Sequence, residues 1–309
     1  MNSLALRPYK DNTQLSVNYP IDVRKRLVNV DSRFREEYAI TNSSDFVYRL
    51  GNVCKNVTSM RLASIEIPNT WYEISAQLKN SFFTVIYLGV SYPIRIADGN
   101  YTVTSVMAAV KNALDATFGP LGFAPFLVTL NSPEQARVGI SFEVGKTLTF
   151  VFDNFWGARN ANWGLGYTLG FRKMSYTVSG AGATPALVAE GFADLAGFNY
   201  VFLNIDDYRC IEHTTPITGT TANLAKIIVT ENKGAILFDN GANLITKEIV
   251  FPSPQNIATF RVQIKNGNGD ILDLNNMDYS FTLEFTEIAN SHLYEEYRKH
   301  LVYQPANNN

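Results

Sequence analysis

A chain of 309 residues can hold one large β domain or two smaller ones, since domains commonly run to roughly 100–200 residues. Its charged fraction of 17% falls below the roughly 25% usual in soluble domains. Uncharged polar groups, cheap to desolvate, must therefore cover much of a surface suited to broad protein contacts. A formal net charge of −2 excludes a whole-molecule field that would gather nucleic acid or anionic lipid.

The opening Met1-Asn2-Ser3-Leu4-Ala5-Leu6-Arg7 lacks an apolar h-region, and no apolar run approaches the ~20 residues that cross a bilayer, so neither signal-peptide secretion nor a membrane span is expected. Residues 1–25 carry Pro8 and Pro20 and no sustained apolar alternation, which predicts an N-terminal arm ordered by a neighbour. The first 35 residues hold seven basic and three acidic side chains. Arg24, Lys25 and Arg26 are the candidate contacts there, toward an acidic protein surface or, weakly, phosphates.

Short apolar runs at 27–31, 46–50, 57–67 and 82–88 predict strands. Within 57–67 the alternation places Met60 with Leu62, then slips so that Ile65 pairs with Ile67, the mark of a β-bulge near Ala63-Ser64. Pro68 should end that strand because it has no donor for the ladder. The aromatic corner after it makes Trp71 and Tyr72 candidate interface residues.

Residues 104–118 place Val106, Val110, Ala113, Leu114, Thr117 and Phe118 on one helical face, with Thr102 or Thr104 to cap the start and Gly119-Pro120 to stop it. Strands resume at 126–130, 138–142 and 148–152, ahead of a Gly- and aromatic-rich stretch at 154–171 and an exposed, flexible loop at 179–185. The last third predicts strands at 200–205, 225–230, 260–264 and 279–285. In the last of these Tyr279, Phe281, Leu283 and Phe285 form one apolar face. Residues 287–303 read as a short helix whose stripe of Tyr294, Tyr297 and Leu301 is too narrow for an independent helix and suits a groove on another subunit.

Motifs of chemistry dissolve on inspection. Gly145-Lys146-Thr147 lacks a glycine at phosphate-loop spacing and predicts a hairpin turn. Asn266-Gly267-Asn268-Gly269-Asp270 alternates oxygen ligands as a calcium loop does, but Met277 stands where a bidentate Glu is needed. Asp206 and Asp207 are adjacent and point to opposite faces of a strand. His213, His292 and His300 have no catalytic partner pattern. Cys54 and Cys210 are too few for a disulfide framework, and a reducing compartment is expected. No catalytic residue, cofactor or metal site is assigned, and the chain reads as non-enzymatic.

Several segments together resemble a known family. They are Val28-Asn29-Val30-Asp31-Ser32-Arg33-Phe34-Arg35, Ser43-Ser44-Asp45-Phe46, the run from Asn56 to Tyr72, Asp98-Gly99-Asn100-Tyr101-Thr102, Leu169-Gly170-Phe171-Arg172, Asp206-Asp207-Tyr208, and Asp273-Leu274-Asn275-Asn276-Met277-Asp278-Tyr279-Ser280-Phe281. Their order over residues 28–286 resembles minor capsid and penton-type proteins of large icosahedral double-stranded DNA viruses. The resemblance implies a mainly β, jelly-roll β sandwich, with partners among major and minor capsid proteins, a homo-oligomeric place in the virion shell, and assembly in the host cytoplasm. The expected organisation is an arm at 1–25, a jelly-roll body at 26–286 carrying an inserted helix and loops at about 98–198, and a C-terminal helix and tail at 287–309. Exposed aromatics in a shallow groove would point instead to a β-sandwich module for host attachment or glycan binding, with Trp71, Tyr72, Trp156 and Trp163 as candidates.

Overall fold

A computed structural model describes residues 23–131, 136–152, 164–206, 208, 211–215, 219–241 and 245–289. The strands are β1 Val23–Asp31, β2 Asp45–Pro68, β3 Phe82–Tyr87, β4 Val90–Arg95, β5 Leu127–Leu130, β6 Val138–Ser141, β7 Thr147–Val151, β8 Ser175–Ser179 and β9 Leu187–Val188. They continue with β10 Tyr200–Ile205, β11 Ile211–Thr215, β12 Gly219–Asn223, β13 Ala225–Ile228, β14 Ile236–Asp239, β15 Ile245–Thr246, β16 Ile249–Lys265 and β17 Ser280–Ile288. Among the described residues two α-helices, α1 Val103–Phe118 and the single turn α2 Leu165–Thr168, interrupt the strands. The chain forms two compact units, residues 1–70 with 200–309, and residues 71–199.

In the first unit every pairing is antiparallel, in the order β1-β17-β2-β16-β10-β13-β15, with β14 also on β2. Two strands are too long for one flat sheet. β2 pairs through residues 45–49 with residues 259–263 of β16, and through residues 57–66 with β17, while its residues 59–60 face residues 249–250 of β16. Successive register shifts between Val250 and Thr259 and a left-handed Asn56 (φ 54°) mark where both strands turn the corner. One sheet is thus β1, β17, the second half of β2 and the first half of β16 with β14. The other is the first half of β2, the second half of β16, β10 and β13. Following the chain, it alternates from β1 through the two halves of β2 to β10, stays in the second sheet for β13, and returns to the first for β14 and the first half of β16. It alternates again through the second half of β16 to β17, the double Greek-key order of a jelly roll.

The bulge falls where the alternation slips. Leu283 faces Leu62 and Thr282 faces Ser64, which leaves Ala63 unpaired. That extra residue restores the phase, so Met60, Leu62, Ile65 and Ile67 are all buried. β2 is one continuous strand where two runs were expected, and it does end at Pro68. On β17, Phe281, Leu283 and Phe285 are fully buried.

The second unit holds the sheets β4-β3-β7-β8 and β5-β6-β9. It runs from Trp71 to Asn199. α1 starts at a capping box between Thr102 and Ser105, and Val106, Val110, Leu114 and Phe118 are buried in a core with Phe83, Phe126, Phe150 and Phe171. Two local expectations are corrected. Gly145 (φ 83°) forms a turn, but not a hairpin, because β6 pairs with β5 and β9 whereas β7 pairs with β3 and β8. The loop at 179–185 is exposed yet pinned, since Gly180 N–H donates to Lys146 O at 2.8 Å and Gly182 N–H to Phe142 O at 3.0 Å. A side chain at Gly180 would strike Glu143 O.

Candidate interaction surface

The basic cluster expected in an arm is built into a sheet. Arg24 and Lys25 lie on β1, opposite Glu287 and Thr286 of β17, so the strand begins inside the segment read as an arm. Arg24 Nε meets Glu287 Oε2 at 2.6 Å, and Arg26 Nη1 meets Glu287 Oε1 at 3.4 Å while donating also to Val53 O. Glu287 is almost fully buried. Lys25 Nζ and Arg61 Nη2 each lie 2.6 Å from Glu284. Burial alone would raise the Glu284 carboxyl, but the hydrogen bonds from Arg61 and Lys25 outweigh it and hold the group below its ordinary value. Nearby, burial pushes the Cys54 thiol up.

Trp71 is only 1% exposed, so this expected contact residue packs inside rather than facing a partner, while Tyr72 beside it is 41% exposed. The corner they open is tied by Asn100 and Asp98 side-chain oxygens, which accept from Glu73 N and Ala76 N at 2.9 and 2.8 Å. Tyr294, Tyr297 and Leu301, like Trp156, Trp163, Asp207, Cys210, His292 and His300, lie outside the described residues.

A presenting loop escaped the sequence reading. Asp31 caps a 3-10 turn at Ser32–Phe34, and hydrogen bonds from Arg33 hold its carboxyl below the ordinary value. Arg35 then organises the loop that leads on to Ser43. Its guanidinium donates to Ser32 O and Asp278 Oδ1, both at 2.7 Å, and to Thr41 O, and lies 3.9 Å over the Tyr38 ring. Asp278 also accepts from Ser32 Oγ at 2.6 Å and Tyr38 OH at 2.9 Å. Ser43 Oγ donates to Met277 O. On this braced loop Phe34 and Ile40 are 73% and 80% exposed, and Met277 across from them is 47% exposed. The sequence shows Arg35 and Asp278 only inside two motifs far apart; nothing in it pairs them.

The remaining decoys serve the fold. Asp206 Oδ1 accepts from Arg261 N–H at 2.8 Å, and Asn266 Oδ1 accepts from Asn268 and Asp270 N–H across its own turn. His213 Nε2 lies 2.8 Å from Gly267 O, and Lys146 Nζ sits 5.0 Å over the Phe123 ring.

These features define a jelly-roll β protein whose conspicuous side chains are spent on bracing loops and whose large apolar groups stand out on them. Solved structures similar to it include two from viruses. The mavirus penton protein aligns at 8% identity with a TM-score of 0.48, covering 86% of this chain and 100% of that one. A chain of the Sputnik virophage, solved by cryo-EM, aligns at 11% identity with a TM-score of 0.38, covering 85% of this chain and 98% of that one. No family model matches the chain, and no curated protein matches it.

Proposed function

We propose that this protein is a minor capsid or penton-type component of a double-stranded DNA virus shell, acting through contacts with the major capsid protein and without a chemical step. The observation that carries the reading is the division of labour on the braced loop. The residues of the sequence resemblance, Ser32, Arg35, Ser43 and Asp278, hydrogen-bond to one another or to neighbouring backbone, and the side chains thrust outward are Phe34, Ile40 and Met277. Fixed, exposed apolar groups on a rigid support lose little entropy on docking, and weak contacts repeated over symmetry-related copies add up. Arg24, Lys25, Arg26, Tyr72 and the stripe of Tyr294, Tyr297 and Leu301 belong to this reading as further contact residues. Assembly would take place in the host cytoplasm and the mature location is the virion.

The deciding experiment is to locate the chain in purified particles by imaging and mass spectrometry, and to co-express it with the major capsid protein. Wild type is expected in the shell, and the double substitution Phe34→Ser, Ile40→Ser is expected to be well folded but excluded from it. Absence of the chain from particles, or unimpaired incorporation of the double variant, overturns the assignment. Binding to a panel of glycans, lost on Tyr72→Ala, would support the attachment module instead.

A further inference from the structure

The geometry points to β1 as a self-pairing edge, through which two copies of this chain join antiparallel across a two-fold axis centred on Leu27. Among the described residues β1 ends its sheet, paired along nine residues with β17 on one side only. Ser32 N–H donates to Tyr279 O at 2.9 Å, one register step beyond Asp31↔Ser280. Backbone groups alternate sides along a strand, so even-numbered residues of β1 address β17 and Lys25, Leu27 and Asn29 turn their N–H and C=O to the open side. Among the described residues no backbone group pairs with them.

Proteins usually guard such an edge with proline, a bulge, a covering element or a free lysine. β1 has no proline, its register is unbroken, and the one lysine on its outer face is held by Glu284. Leu27 instead stands 66% exposed.

The occupant is dictated by the sequence of the strand. Centred on Leu27, antiparallel pairing sets Leu27 against its own copy, Lys25 against Asn29 and Arg24 against Val30, so no like charges oppose. Parallel pairing in register would stack Arg24, Lys25 and Arg26 on themselves. Lys25, Leu27 and Asn29 sit symmetrically about the axis, with Val23 and Asp31 set against each other at the ends, so the edge donors and acceptors of the three central residues are used at once. One ladder is a small contact, so the dimer should depend on concentration. This pairing is independent of the shell assignment, because it is read in dilute solution.

The test uses the full chain, by analytical ultracentrifugation and by cysteine cross-linking with Cys54 and Cys210 replaced by Ala. Leu27→Cys should form an intermolecular disulfide under mild oxidation, because residues facing across a hydrogen-bonded pair have Cα atoms about 5.5 Å apart, within disulfide reach. Asn29→Cys should not, since its copy lies four residues along, about 13 Å away. Leu27→Pro, which removes only an outward donor, should leave the melting temperature nearly unchanged and abolish the dimer. Should that variant misfold, Leu27→Lys gives the same reading by placing two ammonium groups at the axis. A chain that stays monomeric at every concentration, equal cross-linking at positions 27 and 29, or a dimer untouched by both Leu27 substitutions overturns the proposal.

Discussion

Glu284 shows how single side chains set the pH range of this fold. It is buried between two partly exposed cations, Lys25 and Arg61, whose hydrogen bonds keep its carboxyl below the ordinary value against the pull of burial. A depressed folded-state value means that the pairing stabilises fully above the unfolded carboxyl value of about 4.3 and is lost as pH falls through the lower folded value. Because both cations are well solvated, Glu284→Gln should cost only about 1 kcal/mol at neutral pH. Melting curves of the two proteins should converge as pH falls below the ordinary carboxylate range. A gap that persists or widens in acid would show that the ion pairs are not its source.

At the level of the element, β17 is the strand on which the jelly roll depends, because it lies between β1 and β2. Phe281 and Leu283 are fully buried, whereas Thr282 faces the other way and is only partly covered. Leu283→Ala should therefore cost about 2–5 kcal/mol through lost burial and an unfilled cavity, and Thr282→Ala less than about 1 kcal/mol. Denaturant unfolding of the two variants checks this, and equal losses would mean that the strand's faces are wrongly assigned. The bulge near Ala63-Ser64 and a threonine cap at 102 or 104 were legible in the sequence, since each depends on residues within a few positions of one another, and the structure chose Thr102 and closed a box with Ser105. The merger of two predicted runs into β2 was not, because the 24-residue strand stays continuous through its corner only by pairing with β16 along residues 45–60 and with β17 and β14 toward its end, strands far away in the sequence.

Across the whole molecule, both ends of the described chain leave from one place, since Val23 pairs with Ile288. A truncation to residues 26–286 would cut into β1 and β17 and remove the Arg24–Glu287 pair, so residues 23–289 are the proper body. We predict that residues 23–289 melt close to the full chain and show a β-dominated circular dichroism spectrum, yet fail to enter assembling shells. Normal incorporation, or failure to fold, would remove the docking role given to the ends.

By itself the sequence determined the mainly β class, the strands with strong apolar alternation, the one long helix with its cap and stop, and the bulge in β2. Each rests on a period or a pairing spanning a few residues, which local sterics and hydrogen bonding enforce. Shorter or more polar strands such as β4, β8, β11, β12 and β14 carried no such signal. Tertiary structure alone decided which strands are neighbours, that the compact units divide at Trp71, that Trp71 is buried, and that Arg24 and Lys25 are ladder residues with acidic partners. It also joined Arg35 to Asp278 across 243 positions and so raised Phe34 and Ile40 on a braced loop. Such pairings depend on how two sheets share their long strands, and the chemistry of one arginine and one aspartate in separate motifs does not specify that they meet.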